Sequence, residues 1–141
     1  MTDTRPLPPL SAERTGPHAY LARNDRGAQV RIGPPGAADS FTPGELLQAA
    51  LAGCAALSAE AQLAHHLGED FEATATTEGI HHTGDNRIAA FSTSILADMS
   101  TLDDAQCARL IASAERFIER LCTVKRTVTH GADNTARVEA R

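Results

Sequence analysis

From Leu46 to Leu57 the chain reads Leu-Leu-Gln-Ala-Ala-Leu-Ala-Gly-Cys-Ala-Ala-Leu, a helix-forming run that is apolar on nearly every face. Only Gln48, Gly53 and Cys54 interrupt it. The start signals are explicit. Thr42 is a candidate N-cap, Pro43 suits the first helical position, and Glu45 stands three residues after the cap, where it can close a capping box. Gly68 supplies a terminator, so the pattern predicts one helix from Pro43 to about Leu67. A helix that is apolar all round has to be covered all round. The chain has 26 alanines, no Trp, one Tyr and four Phe, so each core side chain buries little area. A length of 141 residues fits one domain of ordinary size. These features together favour a homodimer, with a second copy covering one side of the helix.

Strand and turn signals flank this helix. Residues 1–17 hold four of the seven prolines and no periodic pattern, which reads as a loose leader before a single domain over 18–141. His18 to Asn24 and Gln29 to Ile32 read as two strands around the turn Asn24-Asp25-Arg26-Gly27. Phe71 to Ile80 alternates, Gly84-Asp85-Asn86 marks a turn, and Ile88 to Met99 reads as the returning strand of a hairpin. Thr101 is read as the cap of a second helix, with Asp103 and Asp104 in its first turn. The core face of that helix is expected to be Leu110, Ile111, Ala114, Phe117, Ile118 and Leu121. Val124 to Thr129 fits either a short helix or a strand, and Arg137 to Ala140 reads as an edge strand. The sum is an α+β fold of antiparallel strands, a long buried helix and a second helix.

Charge excludes some partners. Thirteen Lys and Arg against eighteen Asp and Glu leave a net charge of −5, which weighs against nucleic acid. No uninterrupted apolar run reaches the ~20 residues of a membrane span, so no membrane association is expected. Arg5 and Arg14 have no hydrophobic segment between them, so no secretory signal is read there and a cytoplasmic location is expected.

The chemistry-bearing candidates are the cysteines Cys54, Cys107 and Cys122. An odd number without a C-x-x-C pair gives neither a complete disulfide framework nor zinc-ribbon spacing. Cys54 is either a small buried hydrophobe or a reactive thiol. Gly53 beside it costs about 1 kcal/mol relative to alanine, which suggests that something approaches the backbone there. Lys125 and Arg126 follow Cys122 and either lower its pKa or simply decorate a helix end. Cys107 falls on the core face of its helix and reads as structural. The adjacent pairs His65-His66 and His81-His82 point to different faces, so neither is a ready pair of metal ligands. No glycine-rich phosphate loop, G-x-S-x-G elbow or H-E-x-x-H is present.

The segment Phe41-Thr42-Pro43-Gly44-Glu45-Leu46-Leu47-Gln48-Ala49-Ala50-Leu51-Ala52-Gly53-Cys54 resembles the P-x-E-L-L-x-A-A-L-x-x-C motif of the osmotically inducible protein C / organic hydroperoxide resistance (OsmC/Ohr) family. Cys122-Thr123-Val124 resembles that family's second motif, C-P-V, and the separation of the cysteines and the element order also match over residues 18–140. The resemblance implies an intertwined homodimer with antiparallel sheets wrapped around long central helices. It also implies a cysteine peroxidase for organic hydroperoxides that needs no cofactor or resident metal and is recycled by an external dithiol reductant. On that resemblance Cys54 is the peroxidatic thiolate and Cys122 the resolving thiol. Arg26, with Arg23 in reserve, stabilises the thiolate and orients the peroxide. Burial alone would raise the Cys54 pKa, so this chemistry calls for a nearby cation. The family's Arg-pairing Glu follows the proline directly. Here that slot is Gly44 and the acid is Glu45, a shift that turns a helical side chain by about 100°. Thr123 also replaces the proline of C-P-V, and the residues after Cys54 are all small. The competing reading is a non-catalytic OsmC-like dimer that binds a small apolar ligand at the subunit interface. A third is a metal-responsive protein using Cys54, Cys122 and a histidine.

Overall fold

A computed structural model gives the fold and describes residues 3–141. The chain divides into two compact units, one ending at Leu47 and the other spanning Gln48–Arg141.

In the first unit, strands β1 (Ser11–Gly16), β2 (Ala19–Arg23) and β3 (Gln29–Ile32) form an antiparallel sheet in that order. The loose leader is corrected over Ser11–Gly16, which pair as a strand, while residues 3–10 carry no regular structure. Ser11 lies opposite Arg23 and Gly16 opposite Ala19, with the register shifting after Arg14. Backbone pairing holds β1, because its residues are almost all exposed and carry no apolar alternation. The β2–β3 turn is built by Asn24, whose Oδ1 accepts the backbone N–H of Arg26 and of Ala28, both at 3.0 Å. Gly27 closes the turn at φ +93°, a conformation open to glycine. Phe41 N–H then donates to Arg31 O at 2.8 Å and returns the chain alongside β3.

Helix α1 (Pro43–Leu67) begins and ends where the sequence predicts. Thr42 N–H donates to Glu45 Oε1 at 2.8 Å, and Glu45 N–H donates to Thr42 Oγ1 at 3.1 Å, so the capping box is closed. Gly68 ends the helix at φ +97° with its N–H on Ala64 O. The sequence has no uninterrupted apolar run of span length. Even so, the alanines lift α1 to a mean hydropathy of 1.2 over 18 residues, within reach of a membrane span by length and composition alone.

In the second unit, β4 (Ala73–His82) and β5 (Arg87–Ala97) form a long antiparallel hairpin, followed by α2 (Asp104–Leu121) and α3 (Thr123–His130). The core lies between α1 and α2. Leu51, Ala55, Ala59 and Leu63, four residues apart, make the buried stripe of α1. Ala59 and Leu63 pack with Leu110 and Ala114 of α2, and Ile95, Met99 and Ile118 close around them. Gln48 Nε2 donates to Thr77 O of β4 at 3.0 Å, while another part of α1 is open in the single chain: Leu57 is 76% exposed, and a Cβ at Gly53 would meet nothing within 4 Å.

Three expectations for this unit are corrected. The cap of α2 is Asp103, not Thr101. Asp103 Oδ1 accepts Gln106 N–H at 2.8 Å and Gln106 Oε1 accepts Asp103 N–H at 2.9 Å, a reciprocal box that Thr101 does not form. Asp103→Ala is therefore expected to cost about 1 kcal/mol in urea unfolding. Ile111 and Leu121 are exposed, so the core face of α2 narrows to Leu110 and Ala114, flanked by half-buried Cys107, Phe117 and Ile118. Residues 137–140 form no strand. They are exposed, with Val138 and Ala140 their apolar residues and a local ion pair between Arg137 and Glu139 at 2.9 Å.

Candidate functional site

Cys54 lies midway along α1 and is half-buried, while Cys122 is fully buried at the junction of α2 and α3. Cys122 serves both helices. Its N–H donates to Ile118 O at 3.0 Å, ending α2, and its carbonyl accepts Arg126 N–H at 3.0 Å, starting α3. Its own backbone, at φ −72° and ψ 93°, is not helical, so the two helices are separate. The first amides of α3 have no partner within the helix and are open to an acceptor.

Burial pushes the Cys54 thiol up, but the Val124 N–H, the Cys122 thiol and the Thr123 N–H at this junction outweigh it, with a smaller pull from Ser58, whose hydroxyl donates to Cys54 O at 2.7 Å, and hold the group below the ordinary thiol range. Every group acting on Cys54 lies in the second unit. Cys122 moves the other way. Burial and the neighbouring Cys54 raise it, while the N–H and the charge of Lys125 pull it down without prevailing. Of the two readings of the cations after Cys122, a lowered pKa or a decorated helix end, the first does not hold: the net shift is upward despite the pull of Lys125. Lys125 Nζ is paired with Glu119 Oε1 at 2.7 Å, and Arg126 Nη1 donates to Glu119 O at 3.3 Å.

The donors from α3 are the feature that sequence reasoning missed. A signal existed in Thr123, because the family's proline has no N–H to offer at this position. Thr123→Pro is tolerated at a first helical position but removes a donor to the thiolate. It is expected to slow alkylation of Cys54 by iodoacetamide at neutral pH about fivefold, read by peptide mass mapping, with Thr123→Ala near wild type.

Arg26 and Glu45 lie in the first unit, each with a local partner. Arg26 Nη1 is 3.4 Å from Asp25 Oδ1, with both side chains strongly exposed, and Glu45 is engaged in the capping box. Arg23 ends β2 opposite Gln29. Cys107 is half-buried with its sulfur 3.8 Å from Met99 O, consistent with a packing residue. His65 and His66 meet edge to face at 4.9 Å on the exposed end of α1. Among the described residues, no group of three His, Cys, Asp or Glu side chains could hold a metal ion.

A cleft of about 850 Å³ opens between α1, β5, α2 and α3. Leu51, Phe91, Ile95 and Ile118 give it apolar walls, and Cys122 and Lys125 reach its surface. An apolar cavity with few polar groups is the usual form of a small-molecule site.

Several known proteins share this architecture. An uncharacterised protein of Mycobacterium tuberculosis is 37% identical over 122 residues, covering 86% of this chain and 89% of its own. The OsmC-like protein from Mycoplasma pneumoniae superposes with a TM-score of 0.62 at 15% identity, covering 91% of this chain and 89% of that one. The organic hydroperoxide resistance protein OhrB of Bacillus subtilis gives 0.55 at 21% identity, with 84% and 88% covered. The family model described as OsmC-like protein matches residues 36–136, which takes in both cysteines of the site. With its antiparallel sheets, central helix and paired Cys54 and Cys122, the chain belongs to the OsmC-like family.

Proposed function

We propose that this protein is a thiol-dependent peroxidase for organic hydroperoxides, in which Cys54 attacks and Cys122 resolves. The observation that carries this reading is the asymmetry of the pair. Cys54 is half-buried and held toward thiolate, while Cys122 next to it is fully buried and held toward thiol. A nucleophile and a reserve proton-bearing thiol are what the chemistry needs.

In the first step the Cys54 thiolate attacks the distal peroxide oxygen. The O–O bond breaks, the alkoxide leaves and takes a proton as alcohol, and Cys54 becomes a sulfenic acid. Cys122 sulfur then attacks the Cys54 sulfur, the S–O bond breaks, and water departs to leave a disulfide. Two thiols thus supply the two electrons that reduce the peroxide, and an external dithiol restores them by exchange. Alkyl or lipid hydroperoxides are the proposed substrates on the family resemblance alone, because the apolar cleft is lined by Cys122 and not by Cys54. Arg26, with Arg23 in reserve, is the proposed cation for peroxide orientation, and its exposed contact with Asp25 is weak enough to be exchanged for another partner. Glu45 is the proposed acid on the same side of the mechanism.

The proposed assembly is a homodimer. Family members are generally homodimeric, and the open faces of α1 with exposed Leu47 and Leu57 provide apolar surface for a second copy.

The test is intact-mass analysis of the reduced protein after one equivalent of cumene hydroperoxide. The wild type is expected to lose two hydrogens, and Cys122→Ser to stop one oxygen heavier. A wild type that stays reduced beside an oxidised control peroxidase would favour the binding reading, for which the apolar cleft supplies the ligand site.

A further inference from the structure

We infer that Arg109, Arg116 and Arg120 on α2 form the docking surface for the dithiol that recycles the protein, and that this partner is an acidic protein. The inference rests on the peroxidase reading above, because that chemistry is what leaves a disulfide to be reduced. Spacings of seven and four put the three arginines within about 40° of one another around the helix, along a stripe of about 17 Å. All three are exposed, and among the described residues none of them pairs with a carboxylate. Arg120 is steadied by Phe117, whose ring centroid lies 5.9 Å from the guanidinium carbon. The acids of the same helix are placed elsewhere. Glu115 and Glu119 line the cleft, Glu119 is engaged by Lys125 at 2.7 Å, and Asp103 and Asp104 stand at the start of the helix. Like charges four residues apart repel one another, so Arg116 and Arg120 are poised to gain from an anionic partner.

The placement of the stripe ties it to the two cysteines rather than to the cleft. Ser113, about 40° round α2 from Arg109, donates its hydroxyl to Gln62 Oε1 of α1 at 3.0 Å. Ser58 and Cys54 stand four and eight residues before Gln62. The arginine side of α2 therefore borders the side of α1 that leads to Cys54, whereas the side with Glu115 and Glu119 borders the cleft. Arg120 is also two residues before Cys122, and Leu121 between them is 53% exposed. Cations around an exposed apolar residue suit a protein surface that carries acids around its dithiol. In the exchange, one reductant thiolate attacks the sulfur of Cys54, the less buried of the pair. The bond between Cys54 and Cys122 breaks, and Cys122 leaves and takes up a proton. The second reductant thiol then displaces Cys54 from the mixed disulfide. Two electrons have passed to the protein, and the reductant is left as a disulfide. The arginines take no part in these bonds and act on the rate of encounter.

The experiment uses the full chain, oxidised with cumene hydroperoxide, and a pair of probe peptides in which Cys-Gly-Gly-Cys is flanked by aspartates or by lysines. Each rate of reduction is divided by that peptide's rate with hydroxyethyl disulfide, which removes differences in thiol reactivity. The chain carries a net charge of −5, so as a whole it repels the acidic peptide, and the stripe predicts the opposite order. At low salt the acidic peptide is expected to be about fivefold faster on the wild type. At about 0.5 M salt the preference is expected to vanish. Arg109→Gln, Arg116→Gln and Arg120→Gln combined are expected to abolish it, while the same three positions changed to lysine keep it. Dithiothreitol, which is uncharged, is expected to reduce every form alike. A wild type that favours the lysine peptide, or a preference that survives in the glutamine variant, overturns the inference and leaves the peroxidase reading intact. Slower reduction of the glutamine variant by dithiothreitol overturns it too, by placing the arginines in the thiol chemistry. If the hydroperoxide yields no disulfide, the peroxidase reading falls and this inference with it.

Discussion

Cys54→Ser is expected to lower hydroperoxide consumption under excess dithiothreitol by at least about 10³-fold, the scale on which loss of a nucleophile leaves only binding behind. Serine keeps the size of the side chain and its place on α1, so the fold is retained and the loss is chemical. The α3 amides and Ser58 that favour a thiolate at this point cannot ionise a hydroxyl at neutral pH. Cys122→Ser should lose turnover while keeping the first oxidation event, and Cys107→Ser should run as wild type, since the Cys107 sulfur is directed to the Met99 and Leu102 carbonyls. The pH dependence has a defined sign. The reactive form is the thiolate, so the first step slows as pH falls through the Cys54 pKa. Because that pKa is held below the ordinary thiol range, the wild-type rate should persist at pH values where a free cysteine has already become slow. A profile that matches free cysteine would show that the α3 amides do not act on the sulfur in solution.

Leu110→Ala is expected to be the most destabilising single change in the core, by about 3 kcal/mol. Leu110 is only 2% exposed and packs against Ala59, Leu63 and Ala114. Its alanine neighbours cannot extend into the space left behind, so a cavity persists between α1 and α2. For a chain of this size the loss corresponds to roughly 10 °C in thermal midpoint. The check is urea and thermal unfolding at fixed protein concentration, because association would add a concentration-dependent contribution. A shift below about 1 kcal/mol would mean that the two helices close over the gap.

The sequence was most informative where side chains satisfy backbone groups. Thr42, Pro43, Glu45 and Gly68 define both ends of α1, and Asn24 with Gly27 defines the β2–β3 turn, since each of these residues answers a local demand for a donor, an acceptor or a positive φ. Legibility fell where a segment is held by something other than its own side chains. Strand β1 pairs through its backbone and is exposed along its length, so it has no apolar signature to read. Helix α3 is rich in Thr and Val, five of its eight residues being β-branched, and such residues favour strands by intrinsic preference. It is helical because Cys122 starts it and Gly131 ends it, with Gly131 N–H on Thr127 O at 2.8 Å. The cysteine pair was legible as a pair, but its polarity was not. The lysine and arginine beside Cys122 draw the eye to that thiol, whereas two of the groups that act on Cys54 are backbone amides, which nearly every sequence position carries and none advertises.

The double duty of Cys122 bears on how the molecule cycles. One amide hydrogen bond ties this residue back to α2 and another ties it forward to α3, so its main chain is anchored from both sides while its side chain alone keeps a rotatable bond. Under the proposed chemistry, the two sulfurs join beside a helix junction whose backbone hydrogen bonds are already made on both sides. Little ordering entropy has to be met on each turn. With the main chain of Cys122 anchored in this way, recognition by the recycling dithiol would rest on the sulfurs rather than on a backbone that has unfolded.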